Sequence, residues 1–325
     1  MLGALLCACG SGSSPTTPRT TLLVSVSGSV TNRIDGATID GSQIRFAGQA
    51  TATASVVGGR YRIDQIPAGA YTVTVTGPSH VDHQTDSILL TLPSTELNFT
   101  VLKWGTGRFG VVYDQQFHDF FNLVARDAGE TTTGVTHKWR QPPGEIYVVN
   151  EGISPDALAD FLVLLGEVNA ESLPDLFGQT AQPVPVVTGP APTGGLYVSG
   201  TITVSFAAGS TNSGGPGCQV AANLFDCGHV QIGLAAFADP SSTPYPPRQR
   251  KYYILHEMMH VAGSCHAYNG AGASYAVDNE SVMGSGKTRG SPPTSLPPVD
   301  RFAMWLLYLP ATAPGNAYPD KNPSL

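Results

Sequence analysis

The sequence predicts a multidomain protein: an all-β sandwich module first, then an α+β domain with a mixed sheet and one helix carrying a reactive site. Three observations predict this. Residues 21–101 run in short alternating or apolar pieces separated by Gly- and Pro-containing turns, which is the period-2 signature of strands. Residues 102–325 instead mix compact strand-like runs with segments of helical periodicity. Within them, "YYILHEMMHVAGSCH" (252–266) gathers three of the chain's 8 histidines and a glutamate at helical spacing. A chain of 325 residues has room for two ordinary domains.

Residues 1–20 open with the short apolar run "MLGALLCAC", followed by a Gly/Ser/Pro/Thr spacer that suits a flexible tether. The run resembles a bacterial lipoprotein signal. That resemblance implies lipidation at Cys9 and an exported protein, lipid-anchored at the cell envelope or secreted. A membrane is then met only through the lipid anchor. No stretch of about 20 apolar residues is available to cross it as a helix.

Strands are expected in "TLLVSVSGSVT", "SQIRFAG", "TATASVV", "GRYRIDQI", "AYTVTVTG" and "LNFTVL". Tyr71, Val73 and Val75 alternate with Thr72, Thr74 and Thr76, so one face is core. "GGRYRIDQIPAGAYTVTVTGP" resembles the carboxypeptidase-regulatory-like or prealbumin-like modules. The resemblance implies an accessory β-sandwich over 21–101, with a cell-surface protein or a glycan as its partner. His80 and His83 fall in the next loop, "GPSHVDHQTD", where solvated histidines are expected.

In 102–325, "GEIYVV" is a strand. "SPDALADFLVLLGEVNAESLPDLFG" opens with Ser154 as N-cap, Pro155 at the first helical position and Asp156 in the first turn. Leu158, Phe161, Leu162, Leu165 and Val168 form its apolar stripe. "GLYVSGTITVSF" reads as a strand or hairpin and "HVQIGLAAF" as a strand. A helix follows from about Pro247, and another starts near Pro298 with Phe302, Met304, Trp305 and Leu306 in its body.

His256 and His260 are four apart, which places both rings on one helix face. Glu257 sits beside the first of them. Gly263 allows the chain to leave the helix at positive φ, so that His266 can return as a third nitrogen ligand. Three protein ligands with an open position suit one catalytic Zn²⁺ ion. Such an ion activates water, and Glu257 is placed as its general base. The string His-Glu-x-x-His-x-x-Gly-x-x-His resembles the metzincin metalloproteases. "ESVMGSG" adds Met283 as the family's methionine turn.

The order of elements over 102–325 is similar to the metzincin catalytic domain. The resemblance implies a zincin fold and a zinc metalloendopeptidase acting on protein or peptide substrates. It also implies that the strand before the zinc helix, with Val230, Gln231, Ile232, Gly233 and Leu234, is a sheet edge pairing with extended substrate. Family branches with a metal-binding tyrosine carry it two residues after the methionine. Here Ser285 stands there, while Tyr268 and Tyr275 are the nearby tyrosines, and Ala267 follows the third histidine.

The net charge of −7 and the absence of a basic run longer than "RQRK" exclude a nucleic-acid partner. With 37 Gly and 26 Pro, short strands and many loops are expected. Of five cysteines, Cys218 and Cys227 close a small loop and are the expected disulfide, with Cys265 a buried thiol behind the ligands. The competing arrangement ties Cys265 to one of the other two. Calcium sites are not legible in the sequence. Two other functions fit the same residues: a surface-anchored binding or adhesion lipoprotein with a relict zinc site, and a zinc amidohydrolase acting on cell-wall peptides.

Overall fold

Strand alternation builds the first half of the protein. In this computed structural model the described residues are 22–126, 138–177, 183–210, 212–221, 224–237, 245–266, 281–284 and 292–309. Cys9, Ala267, Tyr268, Tyr275 and Ser285 lie outside them.

Eight strands form the module: β1 (Leu23–Asn32), β2 (Gln43–Gly48), β3 (Thr51–Ser55), β4 (Arg60–Pro67), β5 (Gly69–Thr76), β6 (His83–Leu90), β7 (Ser94–Glu96) and β8 (Phe99–Val101). One sheet runs β4-β1-β7 with β8 also on β1; the other runs β3-β2-β5-β6. Every second residue points inward. Val24, Val26 and Val30 from one sheet meet Ile44, Phe46, Tyr71, Val73 and Val75 from the other in a single core. The result is a β-sandwich.

The expectation for His80 and His83 is corrected: both are buried. The loop before β6 is drawn inward by pairing with the chain after β8, through Val81 N–H to Leu102 O and Trp104 N–H to Ser79 O. His80 then bonds Ser42 Oγ at 2.8 Å and Val81 O at 2.7 Å, and His83 Nε2 bonds Thr85 Oγ1 at 2.7 Å. Burial forces such polar groups to find protein partners. At this pole Ile34, Val81 and Leu102 join the hydrophobic core of the second half.

The second half opens with a short hairpin, β9 (Gly107–Arg108) and β10 (Val111–Val112), and the helix α1 (Gln115–Arg126). Strands β11 (Lys138–Trp139), β12 (Glu145–Val149), β13 (Val186–Gly189), β14 (Thr201–Ala207), β15 (Ser213–Ala221) and β16 (Leu224–Gly233) form one sheet. Neighbours β13-β12-β14-β16 are parallel and β15 lies antiparallel on β16, so the sheet is mixed. Of "GLYVSGTITVSF", only the part from Thr201 onward is strand, in β14.

Helix α2 (Pro155–Glu171) is capped by Ser154, whose Oγ accepts from Ala157 N–H. A short α3 (Leu173–Leu176) follows. Helix α4 (Pro247–Val261) packs on α2, where Lys251 pairs with Glu167 and Glu171 and Arg250 pairs with Asp160. The last helix, α5 (Pro298–Tyr308), stacks Phe302 on Phe117 of α1 with centroids 4.5 Å apart.

The substrate-strand expectation is also corrected. Residues Val230, Gln231, Ile232 and Gly233 belong to β16, which is flanked by β14 and β15, so it is not an edge. Leu234 begins a 3-10 turn rather than continuing the strand. The Gly-rich segment "SGGPGCQVA" folds back on β16 and takes the outer position. Gly214 makes this possible. A Cβ there would overlap the Glu257 carbonyl, so only glycine lets β15 lie against α4.

Candidate metal centre

Helix α4 supplies His256, Glu257 and His260, and the chain leaves it immediately afterwards. Its end is fixed by two side-chain donors: Trp139 Nε1–H bonds Val261 O at 2.7 Å and Tyr308 O–H bonds Ala262 O at 2.8 Å. These satisfy carbonyls that a helix terminus leaves without internal partners. Gly263 then takes φ 97°, a conformation costly for any side chain. The reversed chain delivers His266.

The three imidazoles converge. His266 Nε2 lies 3.1 Å from both His256 Nε2 and His260 Nε2. The other nitrogens decide the tautomers. His256 Nδ1 sits 2.9 Å from Val282 O and His260 Nδ1 sits 2.8 Å from Ser264 O. A carbonyl only accepts, so each Nδ1 carries the proton and each Nε2 turns a lone pair to the common centre. His266 Nε2 can donate to at most one of them, which leaves a lone-pair repulsion that a cation removes. Tetrahedral Zn–N bonds place neighbouring nitrogens about 3.3 Å apart, close to the separations here. The residues therefore fit a metal ion, and the backbone carbonyls behind His256 and His260 are the outer partners that such ligands need.

Helix α5 braces the backbone behind His256. Asp300, fully buried, accepts from Ser281 O–H at 2.7 Å and from Val282 N–H at 2.6 Å. Ser281 Oγ in turn accepts from Met283 N–H at 3.0 Å. The 281–284 turn is thereby held beneath the histidines, with Met283 wholly buried. Val282 O receives Tyr252 O–H at 3.1 Å as well as His256. Burial pushes the Asp300 carboxyl up to about 7, against the pull of its two hydrogen bonds. Burial likewise raises Tyr252 far above its usual range, so it stays a donor.

Glu257 is buried and lines two adjoining cavities. One, of about 320 Å³, is bounded by Asn212, Ser213, Gly214, Glu257 and the three histidines. The other, of about 400 Å³, is bounded by Ser210, Asn212, Tyr245, Tyr252, Tyr253, His256 and Glu257. The structure thus brings His256, His260, His266, Glu257 and the Met283 turn together. It places Val230 and Ile232 in the core behind them. Sequence reasoning missed Asp300 and Gly214. The one signal for Asp300 was an acid among apolar residues in the first turn of a buried helix, and nothing local marked Gly214.

Cys218 and Cys227 form a disulfide with Cα atoms 5.3 Å apart. Cys265 is half-buried rather than buried. Its N–H bonds Val124 O at 2.8 Å.

Residues 25–102 match the carboxypeptidase regulatory-like domain family. No curated protein matches the chain. Among solved structures, similarity is found to a putative carbohydrate binding protein from Bacteroides uniformis, at 17% identity and TM-score 0.23, over 25% of this chain and 42% of that one. A cohesin–X-dockerin complex from Acetivibrio cellulolyticus gives 17% identity and TM-score 0.23, over 34% and 81%. A DUF3823 family protein from Bacteroides ovatus gives 12% identity and TM-score 0.22, over 25% and 45%. The chain spans less than half the length of both Bacteroides proteins. Likeness at this level carries no argument about what the protein does.

Proposed function

We propose that the protein is an exported, lipid-anchored zinc-dependent endopeptidase of the metzincin type. The observation that carries this is the convergence of three imidazole Nε2 atoms beside a buried carboxylate that lines the same cavity. A purely structural metal site has no use for Glu257 there. His256, His260 and His266 would hold the ion. When bound, zinc lowers the pKa of water and polarises a carbonyl.

The chain's own residues do the rest. Glu257 takes a proton from the attacking water at its carboxylate and returns it to the departing amine. Val282 O and Ser264 O keep the rings aimed. Edge strand β15 borders the cavity at Ser213 and Gly214, where extended substrate can add main-chain hydrogen bonds. The test is cleavage of an unstructured protein such as casein, abolished by a chelator and restored by zinc. Glu257→Ala should keep one zinc per chain and lose at least about 10²-fold in rate. An active Glu257→Ala protein would sink the mechanism.

A second reading is a surface-anchored binding protein whose module does the binding. It is favoured by the family match over 25–102, which speaks for an accessory module and not for proteolysis. It is favoured too by a polar groove of about 570 Å³ on the module, lined by Ser27, Ser29, Arg60, Arg62, Glu96 and Asn98 among others. Glycan-array binding by a chain that cleaves neither casein nor cell-wall peptides would establish it.

A further inference from the structure

We infer that Asn212 is a further catalytic residue, whose side-chain N–H donates to the oxygen of the peptide carbonyl under attack. This role rests on the endopeptidase reading proposed above. The two cavities beside α4 share three side chains, Asn212, His256 and Glu257. His256 serves as a metal ligand and Glu257 as the base, which leaves Asn212 to be explained. Neither cavity has an arginine or a lysine among its described bounding residues, so no protein cation there meets the charge that develops on substrate.

The local fold fixes which way this amide faces. Strands β14 and β15 flank β16, with Ala207 opposite Gly233 and Ser213 opposite Gln231, so the chain between them crosses the end of β16. It is tied down there twice. Ala235 N–H bonds Gly209 O at 2.9 Å, and Gly233 N–H bonds Asn212 Oδ1 at 2.9 Å. A Cβ on Gly233 would overlap Gly209 O and Ser210, so the close crossing needs glycine. A backbone N–H only donates, so the Asn212 atom that faces it is the oxygen. The nitrogen is therefore turned the other way. Nδ2 has no protein partner among the described residues and is not enclosed. Asn212 stands two residues before Gly214, whose missing Cβ would point at the Glu257 carbonyl, and alternation puts both residues on that side of the chain.

When water adds to a peptide carbonyl, Glu257 takes the proton and the C=O π pair moves onto the oxygen. Donors already in place before that moment stabilise the new charge without reorganising. The Asn212 amide meets this requirement. It is neutral, so it neither repels a metal ion nor pairs off the Glu257 carboxylate. Its direction is set beforehand by Gly233 N–H. Tyr252 cannot take the role, because its O–H is given to Val282 O. No bond to Asn212 forms or breaks, and its N–H is released unchanged when the amine departs.

The test uses the full zinc-loaded chain, a peptide taken from a casein cleavage site, and a phosphinic peptide of the same sequence, whose tetrahedral anion imitates the attacked carbonyl. Asn212→Ala should lower kcat about 10²-fold and weaken the phosphinic peptide by about the same factor, with KM moving less than about threefold. Zinc should stay at one per chain. Asn212→Asp keeps an acceptor for Gly233 N–H but has no amide donor. It should melt above Asn212→Ala, yet leave kcat down by at least about 10²-fold. A role confined to holding the β14–β15 crossing gives the opposite pattern: Asn212→Asp restores the parent's kcat, and Asn212→Ala weakens substrate and phosphinic peptide alike. Either of those results overturns the role, as does a kcat of Asn212→Ala within about threefold of the parent's. A parent that cleaves no peptide and leaves the phosphinic peptide unbound refutes the endopeptidase reading itself, whereas a cleaving parent with unaltered variants refutes Asn212 alone.

Discussion

Replacing Asp300 by alanine tests whether α5 holds the metal ligands through the 281–284 turn. Asp300 is fully buried and accepts two hydrogen bonds, from Val282 N–H at 2.6 Å and Ser281 O–H at 2.7 Å. Removing it strands the Val282 amide, and a buried donor without a partner costs about 1–3 kcal/mol. The Ser281 hydroxyl can rotate elsewhere and adds less. The lost carboxyl leaves a small void, while its own burial cost, visible in a pKa near 7, is relieved. The net expectation is a loss of about 2–4 kcal/mol.

The effect on metal is more specific. The carbonyl of the same residue, one peptide unit further on, meets His256 Nδ1 at 2.9 Å, so freeing the Val282 amide loosens the backbone that aims the ring. Outer-shell losses of this kind weaken metal binding by about 10–100-fold. Competitive zinc titration and denaturant melts of the metal-free protein separate the two effects. An Asp300→Ala chain that is destabilised but binds zinc like the parent would refute the coupling.

Three further outcomes are expected. Gly214→Val must push β15 off α4, since its side chain would overlap the Glu257 carbonyl; zinc content should stay at one per chain while kcat/KM falls about 10²-fold. Cys218→Ser with Cys227→Ser should cost about 2–3 kcal/mol in denaturant melts, and non-reducing peptide mapping should find no linked peptide containing Cys265. The Asp300 carboxyl titrates higher in the folded chain than in the unfolded one, so the proton it keeps favours folding at low pH. That contribution is full below about pH 4 and lost as pH rises through about 7, so the melting-temperature difference between parent and Asp300→Asn should shrink or reverse over that window.

The parts of this protein that could be read from sequence were those whose physics is local. The spacing of His256, His260 and His266 with Gly263 needs only a helix and one left-handed residue, and both are written in consecutive letters. Ser154-Pro155-Asp156 marked a helix start in the same way. Alternation at Tyr71, Val73 and Val75 marked a buried strand face. What escaped depends on partners distant in the chain. Segment 213–221 has no apolar alternation and is strand only because β16 offers it a ladder, so the sequence pattern alone leaves β16 as the edge. The "GPSHVDHQTD" loop looks solvated until residues 101–104 pair with it. In helix α1 the spacing of Phe117, Phe120, Phe121 and Val124 is helical, but no acid stands in its first turn to mark the start. Asp300 reads as a first-turn acid, and its role appears only when Ser281 and Val282 are laid against it.

The backbone on either side of Val282 Cα also has a thermodynamic meaning. Its carbonyl is gripped from α4 by Tyr252 and His256, and its amide from α5 by Asp300. Any ligand that fixes His256 must then also favour the docked position of α5, and a well-docked α5 must favour that ligand to the same degree. The partnership extends to α1 through the Phe302–Phe117 stack. Loss of the ion would withdraw the mass-action stabilisation of a bound ligand, about 4 kcal/mol at a thousandfold excess over Kd. Its deficit would be felt at α5 and α1 as well as at the histidines, so metal occupancy would enter the folding equilibrium of the whole second half of the chain.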